Sequence, residues 1–369
     1  MANVLSRPWP AHPQPLPDEL FSSWMTRAAR CNGQKLRSFC SMTMPGLKNL
    51  AKSIDSFVSP ENLVRVSVKM KTSTDSAYQT TLESYSGVLF ERASIRTRHK
   101  QNILSVGETH NHLFYQQYCP LCLLESEPYY RRTWRISFVT VCVRHRCVLH
   151  DRCVNCGAPV MVMANDVRRK NRAYEGQFTD CHCCGTDLKM VVIASADCGV
   201  IEDTKQYLDI CRKGYFLMPS GKWVYAFSFF TALRHMIRVF VERQPDVSDR
   251  LVDPDCLPLN LRYSAMVDIS GIFTDWPKSF IDYCNINKIR YSSITPMAKT
   301  SNGRVPYWFD EESKPALYSK NKEPSEESVQ YAMAIMQNMG KKINVTSVNR
   351  FMGYRDSRVV AKVVQKLEI

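Results

Sequence analysis

Apolar residues at helical spacing on both sides of a cysteine-rich middle predict a mainly α protein with a tandem zinc-ribbon insertion. The predicted order is a small N-terminal helical unit of helix-turn-helix type, the cysteine segment, and a larger C-terminal helical domain. A length of 369 residues allows two or three domains. The expected divisions are 1–110 for a proline arm and helical domain, 111–198 for a tandem zinc-binding domain, and 199–369 for the C-terminal domain, with a helix-turn-helix at 328–369.

The arm carries Pro8, Pro10, Pro13, Pro15 and Pro17, so it cannot be helical and should lie extended. From Asp18, the positions Leu20, Phe21, Trp24, Met25 and Ala28 share one helical face. Acids open this segment, basic residues close it, and Asn32-Gly33 stops it. Short helices are expected at Leu36–Met42 and Leu47–Phe57. Ser59-Pro60-Glu61 reads as an N-cap with proline at the first helical position, and Ser73–Ser76 reads as a loop. In the middle, Trp134–Val143 is rich in β-branched and aromatic residues and is expected to form a strand. Trp223–Val241 is apolar nearly all round, as in a buried helix. A loop at 244–260 and a polar link from Ser301 to Glu327 precede a final helical unit, Ser328–Ile369.

The formal charge of +14 favours an anionic partner such as nucleic acid. There is no apolar run long enough for a membrane span and no secretion signal at the start, so a reducing, cytoplasmic setting is expected. Random placement of the cysteines would give about 0.6 Cys-x-x-Cys pairs, whereas the sequence has three. Cys119-Pro-Leu-Cys122 followed by Cys142-Val-Arg-His145 has the spacing of a three-cysteine, one-histidine zinc site. Cys153-Val-Asn-Cys156 with Cys181-His-Cys-Cys184 makes a four-cysteine site. Cys147, His150, His182 and Cys183 lie close enough to substitute as ligands. Two Zn2+ ions with four protein ligands each would leave no open position for water, so the metal should be architectural. His-Glu-x-x-His, Gly-x-Ser-x-Gly and phosphate-loop patterns are absent, and no enzyme activity is expected.

Several stretches resemble the TniQ/TnsD family of transposon target-selection proteins. They are Pro15-Leu-Pro-Asp-Glu-Leu-Phe-Ser-Ser-Trp24 through Asn32-Gly33, Tyr118-Cys-Pro-Leu-Cys-Leu123, Trp134–Val139, and Val141-Cys-Val-Arg-His145 on to Gly157. Phe273-Thr-Asp-Trp-Pro-Lys-Ser-Phe280 resembles the Trp-Pro segment of the branch associated with CRISPR effectors. The resemblance implies a non-catalytic connector, docking as a homodimer on an RNA-guided Cascade complex bound to DNA. Such a connector recruits the AAA+ ATPase regulator and, through it, the transposase. The longer TnsD-like relatives instead read an attachment site in DNA themselves.

Two groups of basic residues are candidate contacts for nucleic acid or a partner. Arg131, Arg132 and Arg135 sit beside Tyr129, Tyr130 and Trp134, and Arg168, Arg169, Lys170 and Arg172 form a basic loop between the second site's knuckles. A solvated strand face would account for the first group equally well. In the final unit, short helices around Gly340 and Gly353 have helix-turn-helix spacing. Arg355, Arg358, Lys362 and Lys366 could there face a phosphate backbone, or serve a partner protein or a simple bundle.

Overall fold

A computed structural model describes residues 7–46, 54–91, 101–104, 116–168, 175–242, 253–294, 305–317, 323–354 and 357–366. The architecture is mainly α with a cysteine-rich insertion, as the sequence predicts. No described helix is long and apolar enough to cross a membrane.

The N-terminal unit contains α1 (Phe21–Cys31), α2 (Leu36–Thr43), α3 (Pro60–Met70) and α4 (Thr74–Gln79). Phe21, Trp24, Met25 and Ala28 are fully buried, the i, i+3, i+4, i+7 stripe that sequence periodicity marks out. Ser59 caps α3, its hydroxyl accepting from the Asn62 amide at 3.3 Å. Ser73 caps α4 in the same way, so the stretch expected as a loop starts a helix instead. The arm is pinned rather than loose. Trp9 stacks on Phe39 with ring centroids 4.7 Å apart, and Trp24 Nε1 donates to the Pro13 carbonyl at 2.7 Å. The expected helix at 47–57 falls mostly outside the described residues.

The middle segment holds α5 (Pro120–Leu123), the antiparallel pair β1 (Val141–Cys142) and β2 (Cys147–Val148), and α6 (Ala164–Arg168). The short strand expected at 134–143 is largely replaced by a 3-10 turn at Arg132–Arg135 and irregular backbone, with ladder pairing only at Val141–Cys142. Trp134, Ile136, Phe138 and Val139 are all buried. These side chains fill a core without alternating between two faces, so their composition reports burial, not pleating.

After this come α7 (Cys198–Lys213), the hairpin β3 (Tyr215–Leu217) and β4 (Trp223–Tyr225), and α8 (Ala226–Glu242). They are followed by α9 (Leu259–Ile269), α10 (Lys278–Ile286), α11 (Tyr291–Ile294) and α12 (Tyr307–Leu317). The α12 helix lies within the span expected as a link. Trp223 begins a strand, and the apolar helix starts at Ala226. One continuous apolar core takes in Leu20 and runs from Leu82 through the cysteine segment to Leu317. Trp276 is buried in it against Phe273, Phe280 and Phe309. A buried arginine, Arg262 on α9, stitches the two sequence regions together. It donates to the Ser137 carbonyl at 2.5 Å, to Gln117 Oε1 at 3.1 Å and to the Leu257 carbonyl at 3.0 Å. These three acceptors compensate the desolvation of a guanidinium that burial alone would make costly.

The chain closes with α13 (Glu326–Asn338), α14 (Val345–Met352) and α15 (Arg358–Gln365), which enclose a separate core of Val329, Met333, Met336, Val348, Val360, Val363 and Val364. Asn344 and Ser347 form a reciprocal capping box at the start of α14, and Gly353 ends that helix in the left-handed conformation.

Candidate metal centres

Cys119 sits at the N-cap of α5 and Cys122 lies within it, so one helical turn brings both thiols to one side. The β1/β2 hairpin supplies the opposite pair. Cys142 ends β1 and His145 occupies the hairpin tip. The ligand atoms of Cys119, Cys122, Cys142 and His145 all lie within 4.8 Å of one another. A zinc–sulfur bond of about 2.3 Å implies a sulfur–sulfur edge of about 3.8 Å and a mixed sulfur–nitrogen edge of about 3.6 Å. The Cys122–Cys142 separation is 3.8 Å, and His145 Nδ1 lies 3.5, 3.3 and 3.7 Å from Cys119, Cys122 and Cys142. The donor set and spacing fit a tetrahedral ion.

The second centre repeats one backbone design twice. In each knuckle the first cysteine accepts from the glycine that follows the second: Gly157 N to Cys153 O at 2.9 Å, and Gly185 N to Cys181 O at 3.0 Å. Both glycines have positive φ, 69° and 77°, a conformation that a Cβ would strain. Cys153, Cys156, Cys181 and Cys184 converge within 4.8 Å, with sulfur separations of 3.7 Å for Cys153–Cys184 and for Cys156–Cys181. Hydrogen bonds from Thr186 and Asn155 draw the Cys184 thiol down to about 5, while burial pushes Cys181 up to about 12. In the first centre, hydrogen bonds from Cys119, Cys122 and Cys147 hold Cys142 well below the usual thiol range. Each cluster thus favours thiolate on at least one member, the form that binds a cation.

Of the alternative ligands, Cys147 comes nearest, its sulfur 3.6 Å from Cys119, but it lies outside the mutually close set. His150 packs against Tyr118 with burial lowering its pKa, and the Cys183 amide faces the Cys181 sulfur at 3.5 Å. One contributor was not anticipated. Glu125 Oε1 lies 3.7 Å from His145 Nε2, and Arg144 donates to Glu125 Oε2 at 2.9 Å. With Nδ1 toward the thiols, the other ring nitrogen faces a carboxylate, the usual way a ligating histidine is oriented. Glu125 lies three residues beyond Cys122, and nothing in that spacing marks it out.

The basic candidates divide. Arg135, expected at a nucleic-acid surface, is 3% exposed. Its Nη1 reaches Asp55 Oδ2 at 3.3 Å and its Nη2 the Leu104 carbonyl at 3.2 Å, so that expectation is corrected: the residue is internal. Arg132 pairs with Asp18 at 3.4 Å and bonds to Ser84. Arg131 lies over the rings of Tyr129 and Trp134, at 4.6 and 5.8 Å, and forms no ion pair among the described residues. Arg168 closes α6, while Arg169, Lys170, Arg172 and Arg355 lie outside the described residues. Arg358 and Lys362 are exposed on α15, and Lys362 is paired with Glu326 at 2.9 Å.

A mainly helical scaffold thus carries two clusters of four cysteine or histidine ligands, each of which could hold a metal ion. Residues 10–149 match the family model described as TniQ, so the chain carries a TniQ domain there. That span takes in the arm from Pro10 onward, the N-terminal helices and the whole first cluster, and it ends before the second. No curated protein matches the chain.

Proposed function

We propose that the chain is a non-catalytic target-selection adaptor of a Tn7-like transposon, acting in the cytoplasm. It links an RNA-guided Cascade complex on target DNA to the AAA+ ATPase regulator and transposase, and works as a homodimer. The observation that carries the reading is the TniQ domain over residues 10–149, with the first cysteine cluster inside it. Zinc is the metal that suits both donor sets: three thiolates with an imidazole, and four thiolates. When bound, it fixes the knuckles and leaves no ligand position for a reacting water. Cys119, Cys122, Cys142 and His145 would hold one ion, and Cys153, Cys156, Cys181 and Cys184 the other.

A second reading is favoured by α13–α15, whose two short helices joined at Gly353 suit a duplex-reading helix-turn-helix of a TnsD-like protein. Gel shifts and effector capture at physiological salt separate the two. The adaptor captures the guide-loaded effector complex tightly and binds free duplex only in the non-specific range of about 10⁻⁴ to 10⁻⁶ M. Nanomolar, sequence-dependent binding of the isolated chain to one DNA site would overturn the adaptor reading in favour of direct recognition.

A further inference from the structure

The β3/β4 hairpin turns large side chains toward solvent on one face. Tyr215 pairs across the strands with Tyr225, and Leu217 with Trp223. These four are 37, 56, 50 and 66% exposed, while Phe216 and Val224 alternate into the core. The Tyr215 and Trp223 rings touch, with centroids 4.6 Å apart. The fold gains little from aromatic surface left this open, so its use lies outside the fold.

This face adjoins a positively charged cleft. The Tyr225 hydroxyl donates to the Gly87 carbonyl, and neighbouring Ser84, Tyr85 and Val88 form one wall of a cleft of about 640 Å³. Arg131, Arg132, Arg144 and Arg212 line the same cleft. Helix α7 runs from it through Cys211 and Arg212 into Lys213, Gly214 and Tyr215. Asp18 pairs with Arg132 and its charge also reaches Arg131, but Arg131 makes no ion pair among the described residues. Arg144 and Arg212 are themselves 60 and 76% exposed, each paired with one half-buried acid, Glu125 and Asp209, and such surface pairs are weak enough to exchange for a phosphate.

We propose that the cleft and hairpin together bind single-stranded nucleic acid, with phosphates along the arginines and unpaired bases on Trp223, Tyr215 and Tyr225. Guanidinium groups beside open aromatic faces are the two components of such a surface. A protein partner would use the aromatics without needing the arginines. A duplex would use the arginines and leave the aromatics idle, because its bases are already stacked. The chain's +14 charge supports a polyanion as occupant. The inference deepens the adaptor reading by naming the nucleic acid that the connector holds.

The test is fluorescence anisotropy of full-length, metal-loaded protein with labelled oligo-U and oligo-dT of about 15 nucleotides, against a duplex of equal length. Binding of either single strand above the duplex is expected, and the tighter arm identifies RNA or DNA as the source. Trp223→Ala should weaken single-strand binding by about 5- to 100-fold, with Trp223→Phe retaining most of it. Arg131→Ala should lower the log–log salt slope by about 0.7. Trp223 is a surface residue, so an unchanged melting curve certifies each variant. Preference for the duplex, or Trp223→Ala binding that equals the parent's, would overturn the proposal. So would a defect of that variant confined to protein capture. Effector capture lost while oligonucleotide binding persists would count against the adaptor reading alone.

Discussion

Arg30 is the clasp between the N-terminal unit and the loop separating the second centre's knuckles, and its removal gives a quantitative test. Its Nε and Nη2 donate to the two Asp166 carboxylate oxygens at 3.0 and 2.9 Å, and Nη1 donates to the Gly176 carbonyl at 3.0 Å. The guanidinium also lies 5.4 Å from the Phe178 ring centroid. The side chains of Arg30 and Asp166 are 23 and 6% exposed. Exposed pairs are worth about 0–1 kcal/mol, and breaking a buried one costs about 3–5 kcal/mol. This bidentate, mostly sheltered pair falls between, so Asp166→Ala should cost about 2 kcal/mol, with a coupling to Arg30→Ala of about 1–2 kcal/mol. At about 2–4 °C per kcal/mol, the single variants should melt about 4–8 °C lower. The assay is a double-mutant cycle by denaturant unfolding with metal present. Strict additivity, with coupling below about 0.5 kcal/mol, would refute the claim that the two groups hold each other.

Three other outcomes are expected. Elemental analysis should find two zinc ions per chain and one in Cys153→Ser, while Cys119→Ser should also loosen the shared core, because metal binding there is folding energy; folded parent protein without metal would contradict this. His235, lowered from 6.5 to about 4 by burial and then by Arg238 and Arg234, binds its proton more readily when unfolded. Its contribution is therefore complete above pH 6.5 and lost as pH falls toward 4, at most about 3 kcal/mol, and His235→Leu should melt with a shallower acid dependence than the parent. Val360→Ala, in the fully buried centre of the last three helices, should cost that unit about 2 kcal/mol, read as selective loss of amide-exchange protection in residues 326–365.

Spacing made the metal clusters legible, because a Cys-x-x-Cys turn constrains its two thiols locally, whatever the rest of the chain does. The α1 stripe was legible for the same reason, since helical periodicity is a local record of which side is dry. What failed was anything decided by distant partners. Arg135 reads as a surface cation until Asp55, 80 residues away, supplies its counter-charge inside the protein. The strand expected across 134–143 was misread because β-branched and aromatic composition marks a dry segment as strongly as a pleated one. Ile136 meets only an isolated bridge to Ile103 there. Helix α12 was hidden by Pro315 within it and Pro306 before it, although Phe309, Ser313 and Leu317 keep a buried face at four-residue spacing. Glu125 was invisible because its role depends on where the hairpin tip places His145.

The separate core of α13–α15 has a practical consequence. Its buried valines and methionines pack on one another, and among the described residues its side-chain bonds, such as Ser325 with Ser328 and Lys362 with Glu326, stay within 323–366. Such a tail is interchangeable. Replacing it with another compact trio of helices would alter what the chain's end engages while leaving the zinc-stapled body alone, so grafts and truncations there can be tried independently of the cysteines. Conversely, stripping the metal should leave this piece standing, so that a depleted molecule is half-built instead of wholly unravelled.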